Sequence, residues 1–148
     1  MLTRSCAALL VTFAIQNTAT AGDMKSCTEA GVTLNQVTAM RWFANGSVKL
    51  FAIDQEEPAA HPAGIALAID RGDSLENEES YCRYVGGLAS VDLEHAKASY
   101  DQAKALLTVE MAARKANEDG SSFLDTTLTL TIDKAAKAEA GLVKADIK

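Results

Sequence analysis

Two cysteines carry the clearest chemical signal in the sequence. Cys27 and Cys82 lie 55 positions apart, which does not match the C-x-x-C spacing of a thiol redox pair. The third cysteine of the chain, Cys6, lies in an N-terminal segment that we expect to be removed, as described below, and in an oxidising compartment the remaining even pair is most simply one disulfide. Closing a loop of this length stabilises the fold by about 4 kcal/mol in the chain-entropy model. We therefore predict a structural bridge between Cys27 and Cys82.

Carboxylates are concentrated in the segment 70–79, which we predict to be a loop. Calcium is a hard cation that takes about six to eight oxygen ligands, and an acidic loop offers them. Calcium is therefore the one cofactor that the sequence suggests, against the alternative of a solvated acidic loop that holds no ion. The candidate ligands are Asp70, Asp73, Glu76, Glu78 and Glu79.

The residues that catalysis requires are sparse. The chain has two histidines, His61 and His95, and neither stands at a recognised zinc-ligand spacing from another ligand residue. The G-x-S-x-G nucleophile motif is absent from the sequence. Pairs of carboxylates leave a carboxylate-based hydrolase as an alternative. The sequence favours a protein that is not an enzyme.

The only tryptophan belongs to a small aromatic group. Trp42 adjoins Phe43 in sequence and lies within reach of Phe51 across a predicted hairpin. We expect Trp42 to pack in the core. If these rings are instead exposed, Trp42, Phe43 and Phe51 are the candidate partner-binding residues, because tryptophan anchors many protein interfaces.

The element that positions these rings is a hairpin spanning 40–53. Asn45-Gly46 is the preferred centre of a two-residue type I′ turn, because both residues tolerate positive φ. Both faces of the second strand are partly apolar, which predicts a position inside a sheet or between two layers. The two alternating sets are Val48, Leu50 and Ala52 on one face and Lys49, Phe51 and Ile53 on the other.

Further strands follow from alternating apolar residues and intervening turns. Segment 125–133 is the most regular, with leucine or isoleucine alternating with threonine. Gly86-Gly87 predicts a bulge or a close backbone approach within 80–91. Residues 134–140 suit one or two helical turns that Gly141 ends. The remaining predicted strands are 32–37, 64–70 and 142–147.

Segment 92–116 is compatible with two structures. Its alanine-rich composition suits a helix capped by Asp92. The competing and favoured interpretation breaks it near 100–102 and places a strand at 106–114, beside 125–133. We therefore predict a mainly β fold, an antiparallel β-sandwich of about seven or eight strands with one disulfide. The alternative is an α+β fold with a long helix at 92–116.

The first 21 residues resemble a cleavable secretory signal. Arg4 precedes a ten-residue apolar run at 6–15, and the polar segment that follows ends in Ala19-Thr20-Ala21, which favours cleavage after Ala21. Ten apolar residues are too few for a membrane core, which needs about 20. We expect a secreted or periplasmic protein with no membrane span, in which residues 22–148 form a single β-rich domain.

The charge of the mature chain narrows the range of partners. Removing Arg4 leaves 13 basic and 20 acidic side chains, a net charge of −7. This balance argues against nucleic acid and anionic membranes, which need clustered Lys and Arg. We therefore predict an exported, non-catalytic domain that binds a protein or an envelope component. A narrower version is an inhibitor of a secreted, basic enzyme.

Overall fold

A computed structural model describes residues 20–21, 24–55, 62–70, 81–117, 119–137 and 139–148. These residues form eleven strands, one four-residue helix and two short 3₁₀ turns. The strands are β1 (Thr20–Ala21), β2 (Met24–Ser26), β3 (Val37–Phe43), β4 (Val48–Asp54), β5 (Ala63–Ile69), β6 (Tyr81–Leu88), β7 (Ser90–Val91), β8 (Lys97–Asp101), β9 (Leu106–Ala116), β10 (Phe123–Asp133) and β11 (Val143–Ile147); the helix is α1 (Glu139–Leu142).

The strands form two antiparallel sheets. Sheet I has the order β1-β11-β10-β9, and β7 and β8 both pair with the remaining side of β9. Sheet II has the order β2-β6-β5-β4-β3. The mainly β, antiparallel prediction is confirmed. The strand number exceeds the predicted seven or eight because β1, β2 and β7 are only two or three residues long.

The two sheets enclose one apolar core. Sheet I contributes Leu128, Leu130 and Ile132, all fully buried, so the predicted alternation of 125–133 is confirmed. Threonines occupy the other face of the same strand, as expected for a strand that is buried on one side. The facing residues of sheet II belong to the same cluster and include Val48, Leu50, Ile65, Leu67 and Val85.

The helix alternative for 92–116 is wrong. β8 and β9 occupy this segment, separated by a turn at 102–105 in which Ala105 has a φ of 53°. β9 pairs with β10 along eleven residues. Leu107, Val109 and Met111 all lie on the face of β9 that is buried in the core. Alanine-rich composition permits a helix, but a helix would not hold these three side chains in one row beside β10.

The hairpin at 40–53 is confirmed, but its turn is longer than predicted. Phe43 pairs with Val48, so the loop contains the four residues 44–47. Ala44, Asn45 and Gly46 all have positive φ values, of 49°, 56° and 87°. The strand predicted at 32–37 is wrong. A 3₁₀ turn at Leu34–Gln36 precedes β3, and the Thr33 N–H donates to the Gln36 side chain at 2.9 Å.

The bulge predicted at Gly86-Gly87 is confirmed. Ala63 pairs with Leu88 and Ile65 with Val85, so two glycines of β6 stand opposite the single Gly64 of β5. Near the C-terminus, the helix begins later than predicted, and Gly141 lies within α1 instead of ending it. β11 follows where a final strand was predicted. The predicted signal spans residues 1–21, of which 1–19 lie outside the described residues, and β1 ends at Ala21, the predicted cleavage point.

Two connections join residues of sheet II to segments that are distant in sequence. The predicted disulfide is present, with 5.5 Å between the Cα atoms of Cys27 and Cys82. Arg41 Nη1, on the core side of β3, donates to the carbonyl oxygens of Leu93, Glu94 and Ala96 at 3.4, 3.1 and 2.6 Å. Arg41 therefore ties the edge of sheet II to the loop that precedes β8.

Candidate binding surface

The outer face of sheet II carries a second, smaller apolar cluster. Ile53, Ala66 and Tyr84 are buried there, although they point away from the main core. The segment 27–33 lies over them, packing Cys27, Ala30 and Val32 against the sheet. The disulfide fixes one end of this segment, and Gln55 Nε2 donates to the Ala30 carbonyl at 3.0 Å.

The outer face of sheet II is exposed where it is formed by the edge strand β3. Trp42 is 62% exposed and Met40 is 52% exposed, so the expectation that Trp42 packs in the core is wrong. The reason is the register of β3. Met40 pairs with Phe51 and Trp42 with Lys49, and directly opposite residues share a face. We call Met40, Trp42, Lys49 and Phe51 the Trp42 face.

A basic side chain accompanies the exposed indole. Lys49 Nζ lies 5.8 Å from the centroid of the Trp42 ring, within the range of a cation–π interaction. The Trp42 face therefore combines two large apolar side chains, a partly buried phenyl ring and one positive charge. It contains no carboxylate.

The predicted aromatic trio is only partly brought together. Trp42 and Phe51 share the outer face, whereas Phe43 is 8% exposed and belongs to the main core. The Arg41 guanidinium lies 5.2 Å from the Phe43 ring on that inner side. Sequence reasoning missed Met40 and Lys49. The predicted hairpin could have supplied them, because a two-residue turn at Asn45-Gly46 already pairs Trp42 with Lys49 and Met40 with Phe51, as the structure does.

A second exposed aromatic residue lies in sheet I. Phe123 and Leu124 begin β10, and each is 48% exposed. The Arg114 guanidinium lies 5.4 Å from the Phe123 ring. This pair resembles Trp42 and Lys49 chemically but stands beside the loop between β9 and β10, away from the outer cluster of sheet II. It provides a matched comparison for the Trp42 face.

The structure describes only part of the candidate calcium site. Asp70 directly follows β5, and its N–H donates to the Ser47 carbonyl at 2.8 Å. The other four candidate ligands, Asp73, Glu76, Glu78 and Glu79, lie outside the described residues. Within the parts of the chain that are described, no three His, Cys, Asp or Glu residues are grouped so as to hold a metal ion.

Hydrogen bonds or burial shift the pKa values of Glu29, Tyr84, Asp92 and Asp119. Hydrogen bonds from the side chain and backbone of His95 lower the pKa of Asp92, with 2.9 Å between its carboxylate and His95 Nδ1. Hydrogen bonds from Ser26 lower the pKa of Glu29 in the same way. Burial, and then the nearby Asp54, raise the pKa of Tyr84. His61 lies outside the described residues.

Comparison with known proteins gives no family for this chain. No protein-family model, no curated protein and no solved structure matches it. Among the described residues, no helix has the length and apolar character needed to cross a membrane.

Proposed function

We propose that this chain is an exported, non-catalytic domain that binds a protein or an envelope component through the Trp42 face. The observation that carries the proposal is the exposure of Trp42. The only tryptophan of the chain is 62% exposed beside Met40 and Phe51, with Lys49 as the one charged member of the Trp42 face, and this is the composition of an interface centre. Tryptophan, methionine and aromatic residues are enriched in such centres relative to other surfaces.

The strands that carry the Trp42 face make it a preformed surface, which favours binding. Its residues lie on β3 and β4 and not on a loop. The adjacent part of the same face is covered by the disulfide-tied segment 27–33. A rigid surface loses little conformational entropy when it binds, so more of the contact energy appears as affinity.

Export rests on two features of the chain. The first 21 residues have the order of a secretory signal, and the Cys27–Cys82 disulfide belongs to an oxidising compartment. The net charge of −7 after cleavage favours a basic partner. Inhibition of a secreted, basic enzyme is the narrower form of the proposal.

A cross-linking capture tests the proposed surface. The oxidised protein, with a photoactivatable residue in place of Met40, is incubated with envelope or culture extract of the source organism and irradiated. We expect one stoichiometric cross-linked partner, whose capture is lost with Trp42→Ser and weakens at high salt. Phe123→Ser is the matched control, because it removes another exposed aromatic residue with a cation beside its ring.

Three outcomes would count against specific binding by the Trp42 face. Equal capture by the Trp42→Ser and wild-type proteins means that the Trp42 face does not bind the partner. Equal loss with Phe123→Ser indicates nonspecific apolar contact. An extract that yields no cross-linked product also counts against the proposal.

A further inference from the structure

β8 forms an open edge that is separate from the Trp42 face. It pairs with β9 on one side, and no strand formed by the described residues lies on its other side. The backbone N–H and C=O groups along such an edge are able to pair with another extended strand. All five β8 residues are exposed, and Tyr100 is 50% exposed.

The sequence of β8 is complementary to itself in the antiparallel direction. It reads Lys97-Ala-Ser-Tyr-Asp101. When two copies pair about Ser99, each Lys97 stands opposite Asp101 of the other copy. Each Ala98 then stands opposite Tyr100. Directly opposite residues share a face and their side chains meet, so both ends of the paired strands carry an ammonium against a carboxylate.

The charges of Lys97 and Asp101 favour this register over registers shifted along the strand. Side chains alternate between faces, so a slip that keeps each residue on its own face moves the pairing by two residues. Lys97 then stands opposite Ser99, and both ion pairs are lost. Charged side chains on an edge strand ordinarily discourage pairing with other strands. In β8 the same charges favour one partner, a second copy in one register.

With β1 in place on β11, the other edge strands among the described residues lack this property. β1, β2 and β7 contain two or three residues each. β3 is seven residues long, but its single charge is Arg41. Arg41 is bound to three carbonyl oxygens of its own chain and has no acidic counterpart on β3.

We propose that two copies of this chain associate through antiparallel pairing of their β8 strands about a two-fold axis at Ser99. The pairing joins the two copies of sheet I into one continuous sheet. It goes beyond the proposed function and does not rest on it. A dimer of this kind carries two Trp42 faces, and a partner with repeated sites then binds more tightly than to one copy.

Sedimentation velocity of the purified, oxidised protein tests the dimer. A five-residue strand pairing is a small interface, so we expect dimers to form over concentrations of about 10 µM to 1 mM. Lys97→Glu replaces two attractions by two repulsions and is expected to weaken the dimer at least about tenfold. Lys137→Glu is the control, because it makes the same charge change at an exposed residue between β10 and α1. Lys144→Glu tests β11, whose Lys144 and Asp146 would also oppose each other about Ala145 if the loss of β1 left that strand at the edge. Weakening by Lys144→Glu and not by Lys97→Glu would place the contact at β11 instead.

A charge exchange tests the register. Asp101→Lys alone sets Lys97 against a second lysine and is expected to be monomeric. Mixed in equal amounts with the Lys97→Glu protein, it is expected to form a heterodimer, because both opposing pairs become attractive again. Asp101 also accepts the N–H groups of Ala103 and Lys104, so circular dichroism must show that each variant is folded. If Asp101→Lys does not fold, Asp101→Asn keeps the accepting oxygen and should still weaken the dimer.

Three results would overturn the proposal. One is a wild-type protein that stays monomeric at about 1 mM, which leaves β8 without a second copy as partner. Another is unchanged dimerisation of Lys97→Glu. The third is a mixture of two folded, oppositely charged variants that remains monomeric. None of these results depends on whether the Trp42 face binds a partner.

Discussion

At the scale of single residues, the position of the Tyr84 ring explains why residues 64 and 86 are glycines. A Cβ atom built on Gly64 would lie 2.5 Å from the ring of Tyr84, and one on Gly86 would lie 2.6 Å from it. The ring therefore occupies the space that side chains of β5 and β6 would need. This packing keeps Tyr84 buried on the outer face of sheet II, where the segment 27–33 covers it.

Gly64→Ala should therefore destabilise the protein. The added methyl group overlaps the ring of Tyr84, and overpacking of this kind costs about 1–3 kcal/mol of unfolding free energy. Urea denaturation measures the loss. Gly141→Ala is the control, because the nearest atom to its new Cβ is Ala136 Cβ at an ordinary 3.8 Å. The overlap is refuted if the two variants are equally stable.

The Asp92 carboxylate should make the protein sensitive to acid. Its folded-state pKa lies below the ordinary value of 3.8, because His95 donates hydrogen bonds to it. The resulting stabilisation is present above the unfolded-state pKa and is lost as the pH falls through the folded-state pKa. Asp92→Asn keeps the accepting oxygen but removes the charge. Between about pH 7 and pH 2, we expect urea midpoints to fall less steeply for Asp92→Asn than for the wild-type protein.

At the scale of elements, Arg41 joins β3 to the loop before β8. Its three acceptors are backbone carbonyls of Leu93, Glu94 and Ala96, and both Leu93 and Ala96 are buried in the main core. The guanidinium is thus a fixed link between an edge strand and the other sheet. A hydrophobic side chain of similar length would fill its volume without bonding the carbonyls.

Arg41→Met should lower the unfolding free energy by about 2 kcal/mol, because charged hydrogen bonds to partly buried carbonyls are lost. The free energy is measured by urea denaturation. The matched control is Arg114→Met, which removes an exposed ion pair with Asp125 and should cost less than about 1 kcal/mol. A similar loss in both variants would show that the link contributes little.

The disulfide-tied segment 27–33 should release Tyr84 when the bridge is removed. Cys27→Ser with Cys82→Ser is expected to cost about 2–4 kcal/mol. It should also lower the pKa of Tyr84 towards its ordinary value, because burial is the main cause of its elevation. An absorbance titration in a Tyr81→Phe, Tyr100→Phe background isolates this phenol. An unchanged titration in a folded protein would mean that the segment does not need the bridge.

At the scale of the whole molecule, the predicted cleavage point coincides with the end of β1. Cleavage after Ala21 removes the pairs Thr20–Ile147 and Ala21–Asp146 from the edge of sheet I. β11 keeps its five pairs with β10. The chain end is also held, because Thr127 and Lys148 exchange backbone hydrogen bonds of 2.9 and 3.0 Å.

The chain that begins at Gly22 should therefore retain the fold. Losing a two-residue ladder is expected to cost about 1 kcal/mol at most. Urea denaturation of the 22–148 and full-length proteins gives this difference. Mass spectrometry of the protein recovered from the periplasm or medium should find Gly22 at its N-terminus. A loss of several kcal/mol would give β1 a structural role that conflicts with its removal.

Local patterns in the sequence predicted much of the fold. Alternating leucine and threonine in β10 established a strand buried on one face, and Gly86-Gly87 established a bulge. Both follow from interactions within a few residues. The four-residue length of the turn at 44–47 and the 3₁₀ turn before β3 were not predicted, because several backbone conformations suit the same residues and packing selects among them.

Sequence patterns were enough to predict the hairpin, the bridge between Cys27 and Cys82, and the two partly apolar faces of β4. Which parts of those faces are covered depends on the packing of segments that are distant in sequence. Ile53 and Tyr84 are buried because the disulfide brings the segment 27–33 over them, whereas Trp42 is exposed because β3 is the last strand of its sheet. The order of strands in a sheet and the disulfide bring together residues that are distant in sequence. A local pattern therefore carries no information about what covers a face.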